Sequence, residues 1–404
     1  VISGGDDSEF SEIHLRLIEI LKDLKPHPTT ITTRSHSSQP LLRTLRTKLG
    51  NQDVLPLGEE HDAAEALELL LQALNIEISA LFHRHAHKTL QIKASLQTVL
   101  NPDYYFSSNS SSSDALLAGW KKIRLPVEGL IASRMQCVKC RHYFDTQYTP
   151  FTTLSMPLPT ASSSSSSGKA AAAAATGKML GIAHVPSGCG LITCFDAMFR
   201  YELVTGVHCP GCAIRASIKH ASTLLSSPRS HIAKVPPNNN LATTKLQDLQ
   251  YCVDERRPLP NESTIQALFQ AAGIPYLEKT QTQVTRQSVV VRWPSVLVLQ
   301  LRRSIWTPDG RLMKVVGHVK FPPALRFEAK DDQKLSYQLK SVVHHTGLSA
   351  GTGHYVTYRN AQGSHSKTST SSSKWVKVSD ESVKFVEEAE VLAADALLLF
   401  YEKF

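Results

Sequence analysis

Two cysteine pairs and one histidine have the clearest chemical options in this chain. Cys137-Val138-Lys139-Cys140 and Cys209-Pro210-Gly211-Cys212 each set two thiols on one tight turn. Two such knuckles brought together make a tetrahedral four-sulfur site for a structural zinc ion. The roughly 70 residues between them exceed the common local spacing, so the chain must make a long excursion, lengthened by a Ser/Ala insert. Four ordinary thiols are the plainer alternative. A redox role fits less well, because neither pair reads as opening a helix after a strand in a βαβ unit. Cys189, Cys194 and Cys252 lack partner spacing and read as core or surface thiols.

The histidine is His354, which opens the strand-like run Gly353 to Arg359 after a glycine-rich loop. A histidine placed so can reach into a cleft and act as a base, provided a third group holds its ring. Downstream, Trp375-Val376-Lys377-Val378-Ser379-Asp380 ends in two polar residues that could do so. Side chains alternate along a strand, so only one of Ser379 and Asp380 is expected to touch His354. On these residues alone, a structural strand histidine remains the commoner outcome.

The elements that must position these groups read as helical first and β-rich later. Phe10, Ile13, Leu17, Leu21 and Leu24 recur at helical spacing over 9–24, with Asp7 or Ser8 available as a cap. The stretch from Lys25 to Ser38 reads as a loop. A second helix is expected over Asp62–Ile76, burying Ala63, Ala66, Leu67, Leu70, Leu71 and Leu74, and a third over Lys93–Leu100. Low-complexity runs at 107–113, 162–175 and 364–373 lack core-forming side chains and read as surface loops interrupting a fold. Strands are expected within Val289–Leu301, Leu335–His345, Gly353–Arg359, Lys374–Val378 and Leu397–Tyr401. Helices at one end and a mostly antiparallel sheet at the other give an α+β class.

Composition narrows the function classes. The chain of 404 residues carries a formal charge of +9, spread without any block of like charge, which argues against a dedicated nucleic-acid arm. No apolar run approaches the ~18–20 residues of a spanning helix. Seven cysteines, four of them in two pairs, suit a reducing compartment with a metal site better than a disulfide framework. The first residues, Val1-Ile2-Ser3-Gly4-Gly5, do not resemble a signal peptide, and the expectation is a chain cut or mis-started upstream.

Taken in order, the motifs resemble the ubiquitin-specific protease family. Glu60-His61-Asp62-Ala63-Ala64-Glu65 resembles its Gln-Asp-Ala-x-Glu helix start, with His61 in place of Gln. Cys137–Cys140, Phe144-Asp145 and Leu154 to Pro159 resemble the first knuckle and the strand after it, and Cys209–Cys212 the second knuckle. Trp293 to Arg303, Val319-Lys320-Phe321-Pro322, Tyr337 to His345 and Gly353 to Tyr358 resemble the strands that lead into the family's histidine box, and Trp375 to Val383 and Ala396 to Tyr401 its close.

The resemblance implies a papain-like cysteine protease fold with thumb, palm and zinc-ribbon fingers, divided as 1–130, 131–285 and 286–404. It implies hydrolysis of the bond after ubiquitin's C-terminal glycine, with His354 as base, Ser379 or Asp380 orienting it, and structural Zn²⁺ on Cys137, Cys140, Cys209 and Cys212. Ubiquitin and ubiquitinated proteins are the implied partners, with no nucleic acid and no membrane segment in this chain. The implied location is intracellular and cytosol-facing. The family's third residue is commonly Asp or Asn; Ser379 is similar to the mitochondrial branch, whose outer-membrane anchor would lie upstream. No segment resembles the family's Gly-Asn-Thr-Cys box, so no nucleophile is assigned. A ubiquitin-binding pseudoenzyme and a zinc-ribbon module for nucleic acid are the alternatives.

Overall fold

Alternating apolar residues in the last third of the chain, such as Leu335, Tyr337 and Leu339, build a sheet whose one face must be covered. The computed structural model describes residues 13–17, 39–50, 55, 62–89, 125–160, 182–225, 240–277, 280–306, 310, 312–328, 334–347, 353–361, 375–380 and 382–404. The expected loop at 25–38, the helix at 93–100, the three low-complexity runs and the cap at Asp7 or Ser8 lie outside them. Residues 13–17 are helical. The strands are β1 Gly129–Cys137, β2 Gln147–Phe151, β3 Leu154–Met156, β4 Ile182–His184, β5 Glu202–His208, β6 Gln281–Arg292, β7 Val296–Leu301, β8 Ser304–Trp306, β9 Leu312–Val316, β10 Ala324–Glu328, β11 Lys334–Thr346, β12 His354–Asn360, β13 Trp375–Ser379, β14 Ser382–Val386 and β15 Ala396–Lys403. The helices are α1 Gln39–Leu49, α2 Ala63–Thr89, α3 Leu191–Phe199, α4 Pro210–Leu225, α5 Asn240–Asp254, α6 Glu262–Ala271 and α7 Glu388–Leu392.

Two compact units result. The larger comprises 1–129, 151–198 and 293–404, the smaller 130–150 and 199–292. Residues 151–198, expected within the fingers, therefore group with the helices and the large sheet. The expected strand around Trp293-Pro294 is two strands: β6 ends at Arg292 in the smaller unit and β7 begins at Val296 in the larger. Proline has no N–H for a sheet ladder, which is why the chain breaks there.

In the larger unit an eight-stranded sheet runs β14-β13-β12-β11-β15-β7-β3, with β10 on β11. Its pairings are antiparallel except β3 on β7. The helical layer packs on it through Leu45, Ala64, Leu71 and Leu74, against Val298 and Leu398 of the sheet. Helix α2 outruns its expected end at Ile76, because the apolar pattern gives way there to a buried carboxylate instead of a stop signal. Glu77 is 3% exposed. It accepts from Ile13 N–H at 3.3 Å and lies 3.8 Å from Lys48 Nζ and 3.6 Å from His14 Nδ1. A buried charge survives only when paired in this way, so Glu77 tethers the helical residues 13–17 to α2. Sheet and turns are also pinned by Tyr337, whose hydroxyl donates to Pro294 O at 2.5 Å, and by Tyr401, which donates to Pro322 O at 2.8 Å.

In the smaller unit the sheet order is β2-β1-β6-β5, with β1 and β5 both antiparallel to β6. Three helices the β-rich reading missed, α4, α5 and α6, bury Ile214, Leu246, Leu249, Ile265 and Phe269 with the four knuckle cysteines. Asn261 caps α6, its Oδ1 accepting from Thr264 N–H at 2.9 Å.

Candidate active site and metal centre

The first knuckle lies at the end of β1. Cys137 N–H donates to His142 O at 2.9 Å, Arg141 N–H donates to Cys137 O at 2.9 Å, and Arg141 takes φ +60° to close the turn. The second knuckle follows β5 directly and opens α4, with Pro210 as first helical residue, a position that needs no N–H. The expectation that neither pair opens a helix after a strand is thus corrected for this one. The unit is still not βαβ, because β5 pairs antiparallel with β6. Gly211 packs closely on the first knuckle: a Cβ there would lie 3.1 Å from Cys140 Sγ and 3.2 Å from His142 Cβ and would press on both.

The four thiols converge. Cys137 Sγ is 3.6 Å from Cys212 Sγ, Cys140 Sγ is 3.5 Å from Cys209 Sγ, and all four lie within 4.8 Å of one another. Sulfurs held about 2.3 Å from a tetrahedral zinc stand about 3.8 Å apart, so the set fits that ion. A hydrogen bond from the Cys209 thiol holds Cys140 down at about 5, and the same contact pushes Cys209 far up. Burial, then hydrogen bonds to Cys137 and Cys140, push Cys212 up to about 12. One thiolate serving neighbouring thiols is what a crowded set does when no cation balances it; a dication would let all four ionise. Two contacts were invisible in the sequence: Thr282 Oγ1, 3.5 Å from Cys137 Sγ, and His142, whose ring pKa burial lowers against the pull of Cys140 and Asp145.

His354 begins β12 in the larger unit. The β12–β13 register pairs Thr357 with Val378 and Asn360 with Trp375. Extending it by one residue sets Ser379 across from Val356, on the face that also carries His354. The side chains meet: His354 Nε2 to Ser379 Oγ is 2.7 Å. Asp380 was expected to point away if Ser379 made contact, and here the structure differs. Asp380 takes φ +47° in the turn to β14, which breaks the strand alternation, and its Oδ2 stands 3.4 Å from His354 Nδ1. Both polar residues therefore touch the ring, Ser379 closely and Asp380 at longer range from a side chain that is 80% exposed.

The backbone around His354 is fixed on both sides. Thr346 Oγ1 donates to His354 O at 2.9 Å. Tyr355 OH accepts from Ala63 N–H at 3.2 Å, tying β12 to the start of α2, where Asp62 Oδ1 caps Ala64 N–H at 2.8 Å. Among the described residues no cysteine is hydrogen-bonded to His354. Cys189 and Cys194 are buried, and burial followed by its neighbour Cys189 pushes the Cys194 thiol up to about 12, which suits a core thiol and not a nucleophile.

The family described as ubiquitin carboxyl-terminal hydrolase matches residues 4–401. Ubiquitin carboxyl-terminal hydrolase 27 of Arabidopsis thaliana is 24% identical over 439 aligned residues, which take in 99% of this chain and 77% of that protein. Ubiquitin carboxyl-terminal hydrolase 45 of Homo sapiens is 31% identical over 31% of this chain and 19% of its own. Among solved structures, a SAGA DUB module of Ubp8, Sgf11, Sus1 and Sgf73 bound to monoubiquitin is 17% identical with a TM-score of 0.48; the match covers 91% of this chain, which spans about half, 53%, of the solved one.

Proposed function

Because the chain belongs to the ubiquitin carboxyl-terminal hydrolase family, we propose that it carries the base, the base's orienting group and the metal-braced fingers of a thiol-dependent deubiquitinase. The observation that carries this reading is the 2.7 Å contact of His354 Nε2 with Ser379 Oγ, made inside the matched region on paired strands. An imidazole held at one nitrogen offers the other to a reacting thiol. That nitrogen is Nδ1, whose present neighbour is the exposed Asp380 carboxylate. His354 would take the thiol proton there, and the thiolate would attack the carbonyl of ubiquitin's C-terminal glycine. The imidazolium would then protonate the departing lysine amine. Ser379 fixes the ring without charge, and Asp380 stabilises the imidazolium electrostatically.

Cys137, Cys140, Cys209 and Cys212 would hold Zn²⁺. With four thiolates no open position remains, so the ion stiffens the smaller unit and performs no chemistry. The partners are ubiquitin and ubiquitinated proteins. None of the seven cysteines is in a disulfide, in keeping with a reducing compartment.

A second reading is ubiquitin binding without hydrolysis. It is favoured by the same Asp380 carboxylate, which sits on the ring nitrogen a thiol would use. A ubiquitin probe with a thiol-reactive C-terminus separates the two in protein expressed from the complete reading frame. Covalent labelling that drops about 10²- to 10⁴-fold in His354→Ala supports the hydrolase. Reversible binding with no labelling supports the second reading. Coding DNA upstream of Val1 that specifies a Gly-Asn-Thr-Cys box would add the nucleophile this mechanism needs.

A further inference from the structure

Lysine seldom gives up water, yet Lys314 on β9 is only 6% exposed. Its ammonium donates to Gly347 O and to His345 Nδ1, the latter at 3.0 Å. Among the described residues no carboxylate comes within ion-pair distance of it. An ammonium only donates, so His345 Nδ1 is the bare nitrogen and the ring proton sits on Nε2. That ring lies against the two residues flanking His354. A Cβ on Gly353 would stand 2.5 Å from His345 Nε2, and the His345 and Tyr355 rings pack at 4.7 Å between centroids. Lys314 is itself held in place by Arg303 on the neighbouring backbone. Arg303 Nη1 donates to Gly317 O at 2.6 Å and to Val315 O at 3.3 Å, and its Nε to Ala396 O at 2.9 Å.

We propose that Lys314, acting through His345, is a positioning residue for His354: a buried clasp that fixes Gly353 and Tyr355 and so sets the ring of the base between them. The proposal rests on His354 being the base. The clasp selects one tautomer of His345, holds the end of β11 at Gly347 and presses the His345 ring on the entry to β12. A lysine that merely filled space would bring none of these three constraints to one place. Burial and the Arg303 charge lower the Lys314 pKa, which Asp395 opposes. The two cations are close enough to feel each other, so the arrangement carries an electrostatic cost that filling space alone would not require.

The test compares wild type, Lys314→Met and Lys314→Arg by backbone hydrogen exchange and by the ring-nitrogen resonances of His354. It needs neither ubiquitin nor a nucleophile, so its outcome is separable from that of the hydrolase reading. The expected result for Lys314→Met is at least tenfold faster exchange over 354–357 and shifted His354 ring resonances, with β7 and β15 unchanged. Lys314→Arg should recover most of the protection. Wild-type exchange and resonances in folded Lys314→Met, or uniform loosening of the whole sheet, would overturn the proposal. If Lys314→Met does not fold, His345→Asn replaces it: the amide keeps an acceptor for Lys314 but removes the ring from Gly353 and Tyr355. The same local loss is expected, and unchanged exchange over 354–357 would refute the clasp.

Discussion

Replacing Gly353 with alanine should damage the larger unit out of proportion to one methyl group. A Cβ there would lie 2.1 Å from Thr346 O and 2.5 Å from His345 Nε2. Non-bonded heavy atoms pack at about 3.5 Å, so the carbonyl would have to retreat by roughly 1.4 Å and the ring by roughly 1 Å. The first of these is backbone at the end of β11, whose neighbour Gly347 O is held by Lys314. It has little freedom to move. Overpacking of this kind costs up to about 3 kcal/mol, which in a unit of this size is roughly 5 °C in Tm. Gly190→Ala is the control, since its Cβ would meet nothing nearer than Lys320 O at 3.8 Å; it should stay within about 0.5 kcal/mol of wild type. Scanning calorimetry and urea unfolding read both variants. If Gly353→Ala melts within about 1 °C of wild type while the His354 ring resonances stay put, the close approach of β11 to the histidine strand is wrong.

Three further outcomes are expected. Purified protein should carry about one zinc per chain, Cys140→Ser and Cys212→Ala should carry almost none, and chelation should destabilise the smaller unit, whose core includes the four sulfurs; a metal assay well below one equivalent in wild type removes the zinc. Ser379→Ala removes one hydrogen bond to His354, worth about 0.5–1.5 kcal/mol, so labelling by a ubiquitin probe in the complete protein should slow roughly 2- to 12-fold, and an unchanged rate would count against Ser379 as the orienting group. The native-state pKa of His344 is lowered, first by burial, below the 6.5 of an unfolded histidine. Between that native value and 6.5 the unfolded chain binds a proton that the folded one does not. Stability is therefore intact above pH 6.5 and falls as pH drops below it, with a limiting slope of about 1.4 kcal/mol per pH unit. Urea midpoints at pH 7.5 and 5.5 should differ less in His344→Asn, and an equal difference would rule out His344 as a source.

Local signals carried a good part of the fold. Strands β11, β12, β13 and β15 fall within a residue or two of their expected bounds, β11 and β12 because period-two burial is written in the chain itself, β15 because it is a short apolar run whose first four residues are all buried. The smaller unit was harder to read. Helices α4 to α6 hold their apolar residues for the core around the cysteines, a core that does not exist until two distant segments meet.

The sequence by itself determined which residue types were available: four cysteines in two knuckles, one histidine at the head of a strand, and a Ser-Asp pair to follow it. Their order along the chain was enough to resemble a family. Only the tertiary structure decided how they meet. Strand register placed Ser379 on the His354 face, and a positive φ at Asp380 turned back a side chain that alternation would have sent away. Tertiary packing likewise brought Lys314, on β9 of a separate three-stranded sheet, to the His345 ring at the end of β11. Such contacts depend on which strands pair and where a turn bends, and pairing is set by the burial of the whole sheet, not by any local run of residues.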